Sequence, residues 1–233
     1  MNYCLIFAGG VGNRMKSEKP KQFIEINDKP IIAYTVEIFN KSPIIDRIVI
    51  VTLSKYIKHV ENIAKQYNFD KVCSVIAGGS TAMESQFNGL SYLMKIATTD
   101  DIVFIHDGVR PFINDGLLID CLDSVKKNRS AITISPAIET TSILDSEGNI
   151  HDILPRQKCV LARAPQVFYL ADIYDAHLKS RANHLEFIDS ASLMIHFGHK
   201  LNVVEGPSEN IKITTQYDLM LAKLWINNKY ENN

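Results

Sequence analysis

Gly9, Gly10 and Gly12 directly follow an apolar run, Tyr3–Ala8, and glycines at such a place let backbone N–H groups approach an anion with no Cβ in the way. Arg14 closes the turn, and Lys21, within Pro20-Lys21-Gln22-Phe23, adds a second cation a few residues later. The pattern describes a loop for a small phosphate. It is not a Walker loop, since no Gly-Lys-Ser/Thr follows, and its glycine spacing is not that of a dinucleotide fingerprint. Taken alone, a glycine turn after a strand occurs in α/β proteins of every function, and Arg14 and Lys21 could be two unrelated surface cations. Two further groups of residues deserve the same scrutiny: Gly78-Gly79 with Ser85, and His106-Asp107 with Arg110. The bland reading of Asp107 and Arg110 is a local surface ion pair. His106 beside Asp107 is not read as a metal pair, because adjacent strand residues face opposite sides; it is expected to be a buried histidine beneath the site. Ser85 has no histidine or acid at a telling spacing, so no hydrolase triad is read.

The elements that must position these residues alternate. Strand-like runs at Tyr3–Ala8, Arg47–Thr52, Val72–Ile76 and Ile102–His106 are separated by helical patterns at Ile31–Phe39, Tyr56–Tyr67 and Met83–Ile96. This rhythm predicts βαβ units on a mostly parallel sheet with helices on both faces, a Rossmann-like α/β fold. Three of the strands are near-continuous apolar runs, as expected when both faces are covered. Ligands in such sheets sit at the carboxyl ends of strands. The glycine turn, Gly78-Gly79 and Asp107 all fall there. Beyond Pro136 the rhythm breaks: in Ile138–Ile153, two β-like stretches flank Asp145-Ser146-Glu147-Gly148-Asn149, a good hairpin turn. A lone hairpin is marginal in water, so this one packs either on its own sheet or around a second subunit. Helical patterns at Ala171–Arg181 and Thr215–Asn228 close the chain, with Met220 and Trp225 at core-like spacing. With no repeat or linker visible, residues 1–233 are expected to form a single domain with 138–153 as an appended arm.

The composition is that of a globular protein: 233 residues, 46% apolar and 22% charged, which excludes disordered and fibrous classes. A net charge of -1, with both signs spread along the chain, does not favour DNA or RNA as a partner. Cys4, Cys73, Cys121 and Cys159 lie far apart and mostly inside apolar runs, so all four are expected to be reduced and buried. The first strand begins at the N-terminus with no basic segment before it and is too short for a membrane span, so the expected location is the cytoplasm.

The ordered blocks taken together are more specific. Ala-Gly-Gly-x-Gly-x-Arg-Met, Pro-Lys-Gln, Gly78-Gly79 with Ser85 and Asn88-Gly89-Leu90, His106 to Phe112, Pro155-Arg156, Ala164 to Phe168, Asp189 to Ser192 and Glu205 to Thr215 run in one order over nearly the whole chain. In this the sequence resembles the cytidylyltransferases that act on 2-C-methyl-D-erythritol 4-phosphate and on ribitol 5-phosphate. The resemblance implies a nucleotide-diphospho-sugar transferase-like fold and transfer of CMP from CTP to a polyol phosphate. It implies Arg14, Lys21 and Lys212 as catalytic cations, and Ala8, Gly9, Gly10, Gly12, Gly78, Gly79, Ser85 and Asp107 as the nucleotide site. Arg110, Thr140, Arg156 and Asp189 are implied for the acceptor, Thr140 and Arg156 reaching it from a neighbouring subunit's arm. It further implies Mg²⁺ carried by the CTP phosphates, with Asp107 as its one candidate protein ligand, and a homodimer through the 138–153 arm.

Some positions depart from that pattern. Ala82 stands where the family commonly has arginine, Arg163 in the place of a glutamine, Ile188 in that of a threonine and Glu139 in that of an aspartate. These changes cluster around the acceptor and nucleotide pockets rather than the triphosphate loop. They are expected to exchange one polyol for another. Gly9 and Val109 lean towards the ribitol branch, which implies a CDP-alditol destined for cell-surface polysaccharide. Two alternatives stand beside it: the methylerythritol acceptor of isoprenoid precursor synthesis, and a non-catalytic nucleotide-binding relative.

Overall fold

The computed structural model describes residues 1–10 and 19–231. The elements in chain order are β1 (Asn2–Ala8), β2 (Glu25–Ile26), β3 (Lys29–Pro30), α1 (Ile31–Lys41), β4 (Arg47–Thr52), α2 (Ile57–Gln66), β5 (Val72–Ala77), α3 (Ala82–Leu93), β6 (Ile102–Asp107) and α4 (Asp115–Asn128). Then follow β7 (Ser130–Pro136), β8 (Ser142–Leu144), β9 (Ile150–Ile153), β10 (Val160–Tyr169), α5 (Leu170–Ala182), α6 (Ser190–His196), β11 (Val203–Glu205) and α7 (Gln216–Glu231). Seven strands make one sheet in the order β11-β7-β10-β6-β1-β4-β5. All neighbours are parallel except β10, which runs antiparallel to both β6 and β7. The mostly parallel α/β sheet read from the sequence is the one observed.

The near-continuous apolar strands are explained by burial on two sides. Alternate residues of β1 go to opposite cores: Cys4, Ile6 and Ala8 join one cluster, Tyr3 and Leu5 the other. The same alternation divides Ile48 and Ile50 from Val49 and Val51 on β4, and Phe104 from Val103 and Ile105 on β6. Helix α3 comes so close to β1 that a Cβ on Gly89 would lie 2.7 Å from a Leu5 methyl carbon. A third cluster seats α7 against α1 through Ile31, Tyr34, Leu219, Ala222 and Ile226.

The first seven segments appear as elements of the expected type with small shifts at their ends. Periodicity did not reach α4, β7, β10, α6 or β11. The 138–153 segment forms the hairpin β8–β9, with Gly148 at φ +88° in its turn and every residue of both strands exposed. Two packing expectations are corrected. Cys4 and Cys121 are buried, but Cys73 is exposed on β5, the last strand of the sheet, and Cys159 is half-buried at the foot of the hairpin. Trp225 packs edge-on to Phe112, whereas Met220 faces out, because α7 presents only one stripe to the body. No helix among the described residues is long and apolar enough to cross a membrane.

His177 on α5 is 2% exposed and its Nε2 has no partner. Burial, with the nearby Arg181 charge, lowers its pKa from 6.5 to about 4. The unfolded chain therefore binds a proton that the folded chain refuses between those values, and stability falls as pH drops through that window. Urea unfolding is expected to show His177→Leu losing about 2 kcal/mol less than the native protein between about pH 7 and pH 5. Equal losses in the two proteins would remove His177 as the source.

Candidate active site

The carboxyl ends of β1 and β6 and the middle of β10 border one cleft of about 570 Å³, within the range of small-molecule sites. Ala8, Gly9, Gly10, Lys21, Gly79, Ser85, Asp107, Arg110, Asp189 and Lys212 all line it, so the structure brings together most of the residues singled out in the sequence. Gly78 does not line the cleft but lies against Ser85, which does. Gly12 and Arg14 lie outside the described residues.

At the end of β1 the Ala8 carbonyl accepts two hydrogen bonds, from Gln22 Nε2 (2.6 Å) and Thr52 Oγ1 (3.1 Å). Both donors are buried, and they fix the point at which the chain leaves the sheet for Gly9 and Gly10. Lys21 starts a short 3₁₀ turn, Lys21–Phe23, and its stem passes over Gly10, where a Cβ would meet Lys21 Cε at 3.1 Å. A side chain at Gly10 would crowd the lysine stem. Gln22 had been read only as part of the Pro-Lys-Gln block; nothing in its neighbours announces that it caps a strand.

Ser85 proves to be part of the second glycine turn. Its hydroxyl accepts from the Gly79 amide (3.0 Å) and donates to the Thr81 carbonyl (2.9 Å), and a Cβ on Gly78 would fall 2.7 Å from Ser85 Oγ. Thr81 caps α3 by accepting from the Glu84 amide. The turn between β5 and α3 is therefore locked before any ligand arrives.

Asp107 is the electrostatic centre. One carboxylate oxygen takes Arg110 Nε at 2.8 Å and the other Lys212 Nζ at 2.6 Å. Burial by itself raises the carboxyl pKa, but the Lys212 and Arg110 charges and hydrogen bonds overcome it and hold the group ionised well below the usual range. Asp107 and Arg110 do form the ion pair of the bland reading, but inside the cleft rather than on the open surface. Arg110 is 8% exposed and also donates through Nη1 to the Asn210 carbonyl (2.9 Å), so two of its nitrogens are already committed. Lys212 is 41% exposed and spends one donor on Asp107, leaving two for the cleft. His106 is buried as expected, with Nε2 3.1 Å from the Arg110 carbonyl, and desolvation lowers its pKa to about 4, so it is neutral.

The far wall comes from β10. Between Ala162 and Gln166 the strand advances four residues while its partner β7 advances two, from Ile134 to Ile132. The bulge puts Ala162, Arg163 and Ala164 on the cleft. Asn210 Nδ2 ties it down through the Ala164 carbonyl (2.6 Å), and Thr133 Oγ1 through the Pro165 carbonyl (2.7 Å). Gln166 Nε2 donates to Asp189 (3.2 Å), whose other oxygen caps α6 at the Ser192 amide. Ile188, 94% exposed, and Ala82 both border the cleft. Thr140 and Arg156 are not in this cleft. They are exposed and bonded to each other at 3.4 Å beside the hairpin.

A family model described as 2-C-methyl-D-erythritol 4-phosphate cytidylyltransferase matches residues 3–228. A ribitol-5-phosphate cytidylyltransferase of Vibrio parahaemolyticus serotype O3:K6 is 44% identical over 225 residues, 96% of this chain and 94% of that protein. A 2-C-methyl-D-erythritol 4-phosphate cytidylyltransferase of Clostridium kluyveri is 37% identical over 95% of each chain. Among solved structures, 4-diphosphocytidyl-2C-methyl-D-erythritol synthase from Anaerococcus prevotii superposes with a TM-score of 0.84 at 27% identity, covering 97% of this chain and 98% of that one.

Asp107→Asn removes the charge that two cations share and leaves Arg110 buried without a carboxylate. The variant is expected to lose on the order of 3 kcal/mol of unfolding free energy in urea at pH 7. Since the native carboxyl stays ionised far below its ordinary range, the gap should persist to about pH 5. A gap under about 1 kcal/mol would make the pair incidental to folding.

Proposed function

The chain belongs to the 2-C-methyl-D-erythritol 4-phosphate cytidylyltransferase family, and from that premise we propose that it transfers CMP from CTP to D-ribitol 5-phosphate, giving CDP-ribitol and pyrophosphate. The observation that carries the reaction is the cluster of Lys21, Lys212, Arg110 and Asp107 at the mouth of two parallel strands beside a glycine turn. The acceptor is carried by the higher identity to a ribitol 5-phosphate enzyme than to a methylerythritol one.

In this reading the acceptor phosphate attacks the α-phosphorus of CTP in line with the departing pyrophosphate. An oxygen–phosphorus bond forms as the α–β bridge breaks, and no side chain acts as nucleophile. Catalysis reduces to holding two anions together and meeting the charge on the pentacoordinate phosphorus. The Gly9–Gly10 backbone and Lys21 hold the triphosphate, and Arg14 is assigned the same task from the sequence. Lys212 meets the transferring phosphate with the donors that Asp107 leaves free. Arg110 acts mainly by bracing Asp107. Gly78, Gly79 and Ser85 shape the nucleoside end, and Asp189 stands at the acceptor end.

Among the described residues no cluster of three or more potential ligands could cage a metal. Mg²⁺ usually keeps several waters and joins one or two carboxylates to substrate phosphates. Asp107 retains lone pairs beyond the two that Arg110 and Lys212 use, so it fits as the single protein ligand. Mg²⁺ on the triphosphate supplies neutralising charge. The reading includes a homodimer in the cytoplasm, in which Thr140 and Arg156 reach the partner's acceptor site. It also places the product in the supply of cell-surface polymer. The apolar residues Ile143, Leu144, Ile150 and Ile153 on the hairpin support the dimer, since all four are left exposed in the single chain.

Pyrophosphate release with CTP and Mg²⁺ tests the assignment. Turnover is expected with ribitol 5-phosphate and not with methylerythritol 4-phosphate. The reverse result would install the second reading, which the family model's own description favours. CTP binding without turnover on any polyol phosphate would leave a non-catalytic relative. Lys212→Ala should lower kcat on the order of 100-fold with the fold retained. A loss below about fivefold would remove Lys212 from the transition state.

A further inference from the structure

Arg163 is a cation on the wall of the cleft. It lies half-buried on the β10 bulge, donates through Nε to Ser135 Oγ at 3.0 Å, and pairs with no carboxylate among the described residues. Neither Nη nitrogen makes a hydrogen bond there. Its neighbours are differently placed, because Arg110 and Lys212 already share the Asp107 carboxylate. A guanidinium in a cleft with its outer edge unspent is a fork shaped for two oxygens of one phosphate. We infer that Arg163 is an anion ligand and that the group it takes is the phosphate monoester of the acceptor. The inference rests on the cytidylyl transfer proposed above.

The sheet says which phosphate. The glycine turn follows β1, Asp107 ends β6, and Arg163 sits on β10, with β6 between the other two. Strands are spaced about 4.8 Å apart, so roughly 10 Å separates the turn that receives the triphosphate from the strand that carries Arg163. An anion at Arg163 therefore lies apart from one at the glycine turn, with Asp107, the partner of Lys212, on the strand between them. A transfer between two phosphates needs cations on both sides of the phosphorus that moves. The bulge holds the fork in place from three directions: Ser135 at Nε, Asn210 on the Ala164 carbonyl and Thr133 on the Pro165 carbonyl. Desolvation, and then the Arg110 charge, lower the Arg163 pKa, so its charged form gains when a dianion arrives.

Arg163→Gln and Arg163→Lys test this in the full-length protein. Steady-state pyrophosphate release should show Arg163→Gln raising KM for ribitol 5-phosphate roughly tenfold or more, with KM for CTP changed less than about twofold. Arg163→Lys should restore part of the loss, since it returns the charge without the fork. An unchanged acceptor KM, or an equal rise in both KM values, overturns the inference. Calorimetric titration of inorganic phosphate into the native protein and Arg163→Gln, without CTP, gives an arm that needs no turnover. Weaker phosphate binding by the variant upholds the anion site even if the native protein transfers no cytidylyl group, and equal binding overturns it. Matching urea midpoints for the two proteins separate loss of the ligand from loss of the fold.

Discussion

The Asp107 carboxylate is shared by Arg110 and Lys212, two cations that would otherwise repel each other at the end of β6. Arg110 is the buried member, and burying its charge would be costly without the carboxylate. Because the carboxylate stays ionised, it holds Lys212 at the cleft while Arg110 is drawn inward to bond the chain at Asn210. Asn210 in turn bonds the Ala164 carbonyl, so a restraint that begins at the centre of the sheet ends on the β10 wall. A local charge arrangement is thereby tied to the wall of the cleft.

The sheet makes that arrangement possible. β6 is the middle strand of seven, flanked by parallel β1 and antiparallel β10. Alternation along β1, β4 and β6 sends side chains into two cores, which pin both faces and leave the strand ends as the places where polar groups can gather. β10 is the exception among the strands. It enters from the opposite direction, and its bulge rather than its end contributes to the cleft.

What the sequence made legible follows from this geometry. The apolar runs of β1, β4 and β6 are continuous because both faces are covered, and the residues just after them could be assigned to a site by the strand-end rule alone. β10 was not legible because its first half is exposed and its second half buried, so no single period runs through Val160–Tyr169. Gln22, Asn210 and Thr133 escaped for another reason. Each acts through a backbone carbonyl distant in sequence, and a partner 46 residues away, as for Asn210, leaves no local trace. Arg163 was visible as an unusual residue, but its open edge became apparent only when its surroundings were known. The expectation that all four cysteines are buried failed at Cys73 because β5 is an edge strand, which composition does not reveal.

The strand order also carries a kinetic consequence. β1 pairs with β6, and Asn2 lies opposite Ile102, so closing this ladder spans roughly 100 residues. As the chain leaves the ribosome, β1 waits beside an open edge until β6 has been made. β10 then fills the gap beside β6 still later, and Lys212 comes last of the three charged partners. Until that lysine emerges Asp107 has only Arg110 to balance it, so the strands of the sheet are all synthesised before its binding site is complete.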